Sequence, residues 1–137
     1  MYCDIVLIGQ NKEIEEFARK LGFNKLIFKE DFDKLGIVIS KDYDTNRKLI
    51  ERKKINILVD VHMNNFKDNL HFRSSGLNQV ICKLMNKNNV ALGISLSSIE
   101  NGLMLGRTKQ NIKLCRKYKV KIKFFSFAKD KYEMRAR

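Results

Sequence analysis

Proline and tryptophan are absent from the 137 residues, and acidic side chains are scarce, with fifteen Asp and Glu against twenty-eight Lys and Arg. Without proline there is no proline-rich linker. No low-complexity tract or internal repeat divides the chain, so residues 1–137 read as one domain with room for a single core. The longest apolar runs, at residues 36–39 and 124–128, fall far short of the roughly 18 residues a membrane helix requires. The apolar start is interrupted by Asp4 and lacks the basic region of a signal peptide. Cysteine is sparse too. Cys3, Cys82 and Cys115 form no CxxC pair, which excludes a disulfide framework and a zinc site. They read as small buried apolar residues in a reducing compartment, which implies the cytoplasm. There is no GxSxG, no P-loop and no GxGxxG, and Gly102 and Gly106 are too far apart to form a phosphate loop.

What the chain does have is positive charge. The formal net charge is +13 and the sequence pI is near 9.8. Each phosphate neutralised by Lys or Arg releases a condensed cation, so such a domain favours nucleic acid. The competing reading is a solvated surface in a lysine-rich composition. A membrane surface fits less well, because the basic residues are spread along the chain and not gathered on one amphipathic helix.

Strands and helices alternate. Residues 4–9 (DIVLIG), 25–29 (KLIFK), 36–40 (GIVIS), 55–61 (INILVDV), 90–96 (VALGISL) and 121–127 are apolar runs of strand length. Asn11 is placed to cap a helix with Ile14, Phe17, Ala18 and Leu21 on one face and Gly22 at its end. Thr45 is the expected cap of a helix to about Lys53. Ser74 or Ser75 is the expected start of another, burying Leu77, Val80, Ile81, Leu84 and Met85. A long helix from about Glu100 to Tyr118 presents Leu105, Ile112, Cys115 and Tyr118 as its apolar face. Short loops between such units imply a parallel sheet with right-handed crossovers. Six units are fewer than the eight of a full barrel, so pattern alone leaves a small barrel or an open doubly wound sheet.

Two sets of residues bear on chemistry. Asp60 and His62 stand at a strand's C-terminal end, where parallel α/β folds place functional groups, and His71 is a further candidate for a metal-dependent phosphoesterase. Alternatively, Asp60 and His62 are strand-end polar residues bonded to neighbouring loops. The other strand ends offer few ligands. The second set is basic. On the long helix Lys109, Lys113, Arg116 and Lys117 fall at i, i+4, i+7 and i+8 and form one stripe. Lys119, Lys121 and Lys123 extend it, and no acidic residue lies between Asn101 and Ala128. This points to phosphate contact or to a solvated face. Lys48, Arg52, Lys53 and Lys54 form a smaller cluster.

The run from Arg73 to Leu96, RSSGLNQVICKLMNKNNVALGISL, closely resembles the ribonuclease P protein component 3 family of archaea and eukaryotes. Gln79 stands where that family commonly has His. The match continues through Arg107, the helix reading NIKLCRKYKV, the strand ending at Phe124–Ala128, and Met134-Arg135. The resemblance implies a TIM-barrel-like parallel β/α fold related to PHP-type metallohydrolases, with their metal ligands missing. It also implies a subunit of the ribonucleoprotein that removes 5′ leaders from precursor tRNA. In that particle the RNA and its Mg²⁺ perform the hydrolysis, the protein itself binds no cofactor, and component 2 is the expected protein partner. The residues expected to contact RNA are Arg73, Ser74, Arg107, Lys109, Lys113, Arg116, Lys117, Lys119, Lys121 and Lys123, with no catalytic or metal-binding residue. An Arg73–Ser74 helix start is one way to hold a phosphate; a simply capped helix is the other. Family sequences run on past the Met-Arg segment, so an incomplete or small barrel is expected, with an edge for a partner to cover.

Overall fold

The computed structural model describes residues 2–135. Six short strands, β1 (Cys3–Ile5), β2 (Lys25–Ile27), β3 (Ile37–Ile39), β4 (Ile57–Val59), β5 (Ala91–Ser95) and β6 (Ile122–Phe125), alternate with helices. These are α1 (Lys12–Lys20), the single turn α2 (Phe32–Leu35), α3 (Tyr43–Glu51), α4 (Gln79–Lys87) and α5 (Gly102–Lys117). All pairings are parallel: β1 with β2, and β3, β4, β5 and β6 in that order.

The two sheets are joined just past the strand ends. Phe127 donates its N–H to the Ile5 carbonyl at 2.9 Å, and Leu7 donates to Ala128 at 2.9 Å. The row therefore runs β2-β1-β6-β5-β4-β3. Among the described residues β2 and β3 are not hydrogen-bonded to each other. Residues 29–35, a 3₁₀ turn (Lys29–Asp31) followed by α2, link them and bring Phe32 inward. This is the small, barrel-like parallel β/α arrangement.

Apolar side chains settle into three groups. Inside the curved sheet lie Ile5, Phe32, Ile37, Val59, Phe125 and Phe127, with Phe32 stacked on Phe127 at 5.7 Å. Gly93 makes this interior possible, because a Cβ there would stand 3.0 Å or less from Ile57 and the Phe125 ring. Outside, Ile50, Leu58, Ile81, Met85, Leu92 and Cys115 belong to the layer between β3–β6 and helices α3–α5. A separate group, Val6, Ile14, Ala18, Leu26, Phe28, Ala128 and Met134, seats α1 on β1 and β2. Each group removes apolar area from water, worth about 25 cal/mol per Å².

Helix ends follow their caps, and here three expectations need correcting. Asn11 does cap α1, accepting from Glu13 N–H, and Gly22 ends it at φ +95°. The cap of α3 is Asp42 and not Thr45; Asp42 accepts from both the N–H and the hydroxyl of Thr45. The α4 helix starts at Gln79 behind Asn78, whose side chain accepts from Ile81 N–H. Ser74 and Ser75 lie in the preceding loop, because Gly76 at φ +86° turns the chain out of any helix there. The third correction is to the cysteines: Cys82 and Cys115 are fully buried, but Cys3, at the open start of β1, is exposed. No helix among the described residues is long and apolar enough to cross a membrane.

Candidate nucleic-acid interface

The α5 helix carries most of the expected site. Asn101 caps it through Met104 N–H, and Arg116 and Lys117 in its last turn complement the helix dipole. Its buried residues are Arg107, Thr108, Asn111 and Cys115, a more polar face than the expected Leu105–Ile112–Cys115–Tyr118 line. Leu105 itself is exposed. Lys109, Lys113, Arg116 and Lys117 project from the opposite side and are exposed, and none forms an ion pair among the described residues. Lys117 lies 5.5 Å from the centroid of the Tyr118 ring.

Lys117 and Lys119 meet Lys83 and Lys87 of α4 around a basin of about 350 Å³ that Asn86 and Tyr118 also line. Lys83 and Lys87 were not singled out in the sequence, because a basic pair on a second helix shows its convergence only after α4 and α5 pack. Lys121 and Lys123 are exposed. Strand alternation puts Lys123 on the same side of β6 as Phe125, the side turned to the barrel interior. It therefore does not share the outer face of α5 with Lys109 and Lys113.

Arg107 corrects the expected RNA-contacting set most clearly. It is 2% exposed. Its Nε pairs with Asp68 at 2.9 Å, one terminal nitrogen donates to the carbonyls of His62 and Asn64 at 3.0 Å each, and the other donates to the Phe66 carbonyl. Four of the five N–H donors of the guanidinium are spent on the loop between β4 and α4, and its burial keeps the group away from a phosphate. Burial pushes the Asp68 carboxyl up, but the Ser74 N–H, Arg107 and Arg73 together bring it below the usual range.

Arg73 is half exposed, 3.4 Å from Asp68. Its guanidinium lies flat over Gly106, where a Cβ would come within 2.6 Å of it. Gln110 clamps the Arg73 backbone, accepting from its N–H and donating to its carbonyl. Gly106, Lys109 and Lys113 fall at i, i+3 and i+7, so Arg73 extends the α5 stripe toward the loop. Ser74 is partly buried; its hydroxyl donates to the Lys67 carbonyl and its N–H to Asp68, which leaves no helix N-terminus at this point.

The strand ends are closed by paired Asp and Ser residues. Asp60 accepts from Ser95 N–H at 2.8 Å and from the Ser95 hydroxyl at 2.5 Å. Asp4 accepts from Ser126 in the same way, at 2.7 and 2.5 Å. His62 Nε2 is 2.8 Å from Ser98 Oγ, which also donates to the Ser95 carbonyl at 2.7 Å. Asp60 and His62 are thus strand-end residues bonded to the next loop. No set of three His, Cys, Asp or Glu side chains able to hold a metal converges among the described residues, so Asp60, His62 and His71 do not fit a metal-dependent phosphoesterase.

These features define a class: a barrel-like parallel β/α protein with internally bonded strand ends and an outer helix that carries a free cationic face. No family model matches the chain. Over 129 residues it is 32% identical to ribonuclease P protein component 3 of Methanosarcina mazei, covering 90% of this chain and 50% of that protein. A chain in a cryo-EM structure of archaeal ribonuclease P with mature tRNA superposes on it with a TM-score of 0.58 at 17% identity. That match covers 96% of this chain and 53% of the other and concerns the fold alone. The chain belongs to the ribonuclease P protein component 3 family, and it spans about half the length of the curated relative it matches.

Proposed function

We propose that the chain acts as a protein subunit of ribonuclease P, the ribonucleoprotein that removes 5′ leaders from precursor tRNA, and that it binds and stabilises the catalytic RNA. The observation that carries this reading is the α5 face. Lys109, Lys113 and Arg116 are exposed and form no ion pair among the described residues, on a helix within a stretch of sequence, Asn101 to Ala128, that has no acidic residue. A solvated helix face ordinarily mixes signs to gain i, i+4 pairs; an unmixed one suits a polyanion. In this reading Mg²⁺ belongs to the RNA, which carries out the hydrolysis, and precursor tRNA is met indirectly. Component 2 and other particle proteins complete the assembly, in the cytoplasm.

The test has two arms. Adding the chain to the RNA and remaining subunits should raise precursor tRNA cleavage. Binding of the chain to that RNA should weaken steeply with salt, and Lys113→Ala with Arg116→Ala should flatten the plot of log K against log salt by about one to two units. A salt-independent affinity would remove the proposal.

A further inference from the structure

The loop between β4 and α4 is unusually apolar on its outside. Met63 is 51% exposed, Phe66 72%, Leu70 91% and Phe72 49%. Such side chains ordinarily escape water, and a clustered set marks a contact surface. The loop is also fixed in place. Arg107 holds the carbonyls of residues 62, 64 and 66 from beneath, Asn64 donates to the Val61 and Ser74 carbonyls, and Asn69 donates its N–H to Phe72. The rings are presented on a tethered backbone.

Beside the loop runs a groove of about 540 Å³, lined among others by Tyr43, Met63, Phe66, Phe72 and Leu77. Its polar lining is mostly amide and hydroxyl, and the Asn65 side chain has no partner among the described residues. The charges around it are unequal. Asp42 is occupied as the α3 cap and Asp68 is matched by Arg107 and Arg73. Lys41 on the lining and Lys67 next to Phe66 are exposed without a side-chain ion pair among the described residues, offset in part by the exposed Asp44 next to Tyr43. Through Arg73 over Gly106 this rim is continuous with Lys109 and Lys113.

We infer that this groove takes unpaired nucleotides of RNA, with bases against Phe66 and Phe72 and the backbone on Arg73 and the α5 stripe. The inference rests on the RNA-binding reading above and adds single-strand recognition to it. Unstacked bases are bound by aromatic faces and amide groups, and stacking is indifferent to salt, unlike phosphate contact. An apolar helix of another protein would meet the same rings, but it would leave the Asn65 amide and the cationic rim without partners.

The full chain is titrated with labelled single-stranded RNA of mixed sequence and with a blunt RNA duplex, each across a salt series. Phe66→Ala and Phe72→Ala should each weaken single-strand binding roughly five- to hundredfold, leave duplex binding nearly unchanged and keep the salt slope. Phe66→Trp should restore affinity and Phe66→Leu should not. Thermal unfolding verifies that these exposed substitutions leave the fold intact, and the Trp and Leu variants carry the comparison if an Ala variant unfolds. Unchanged single-strand affinity would overturn the inference and leave the RNA-binding reading standing. So would intact RNA binding combined with lost association to the other particle proteins, which would make the groove a protein-docking site. If the unaltered chain shows no salt-dependent binding to either RNA, the RNA-binding reading itself fails.

Discussion

His62 is an imidazole sealed behind β4, with its Nε2 bonded to Ser98 and its backbone carbonyl held by Arg107. Burial lowers its pKa below the ordinary 6.5. The Asp60 charge and the Ser98 bond pull it back up, and Arg107 adds to the lowering. The unfolded chain therefore takes up a proton at this residue at a higher pH than the folded protein does. Stability from this group is complete above about pH 6.5 and drains away as pH falls toward the folded-state pKa, by at most about 1.4 kcal/mol per pH unit. Urea midpoints at pH 7.5 and pH 5.5 should differ in that direction, and the difference should shrink in His62→Gln. An acid sensitivity that is the same in the variant would assign the effect to other groups.

Among the elements, the loop from residue 60 to residue 78 depends most on a single partner. Arg107→Met keeps much of the side-chain volume on α5 but removes donors from three carbonyls and from Asp68. A cost of about 1–3 kcal/mol is expected for each carbonyl left without a donor in a buried setting, His62 foremost, while Asp68 keeps Arg73 and the Ser74 N–H. Amide protection should fall in the loop more than in β5; uniform loss across the fold would show that Arg107 holds the whole domain. This element was the least legible in the sequence. Five of the six strands stand inside their expected apolar runs, β1 begins one residue early at Cys3 and ends at Ile5, and the α5 stripe is exposed as its spacing requires, because both depend on short-range periodicity. Arg107 reads as a surface cation by the same logic, yet it is buried, since its partners lie 39 to 45 positions away. The Asn78 cap was hidden for a similar reason: Ser74, Ser75 and Asn78 are all good caps, and the choice among them is made by Gly76. A Cβ at that position would lie 2.1 Å from the Val61 carbonyl.

Taken whole, the molecule orders its strands β2-β1-β6-β5-β4-β3, so the seam that unites the two sheets joins residues far apart in the chain. Asp4 and Ser126, 122 positions apart, bracket that seam. Contacts of such separation form late, because the entropy of closing the long loop must be met first. In pulse-labelled refolding, protection of the seam amides Leu7, Ser126 and Phe127 should trail that of Leu92 to Ser95. Simultaneous protection would show that the seam belongs to the folding nucleus. During translation the same geometry imposes a wait. The β1-α1-β2 segment leaves the ribosome about 100 residues ahead of Ala128 and Met134, the side chains that complete its apolar packing. At ordinary elongation rates that is on the order of 5–20 s. For that interval Ile14, Leu26 and Phe28 lack Ala128 and Met134 as neighbours, and the nascent segment stays exposed to chaperones and to self-association until those residues arrive.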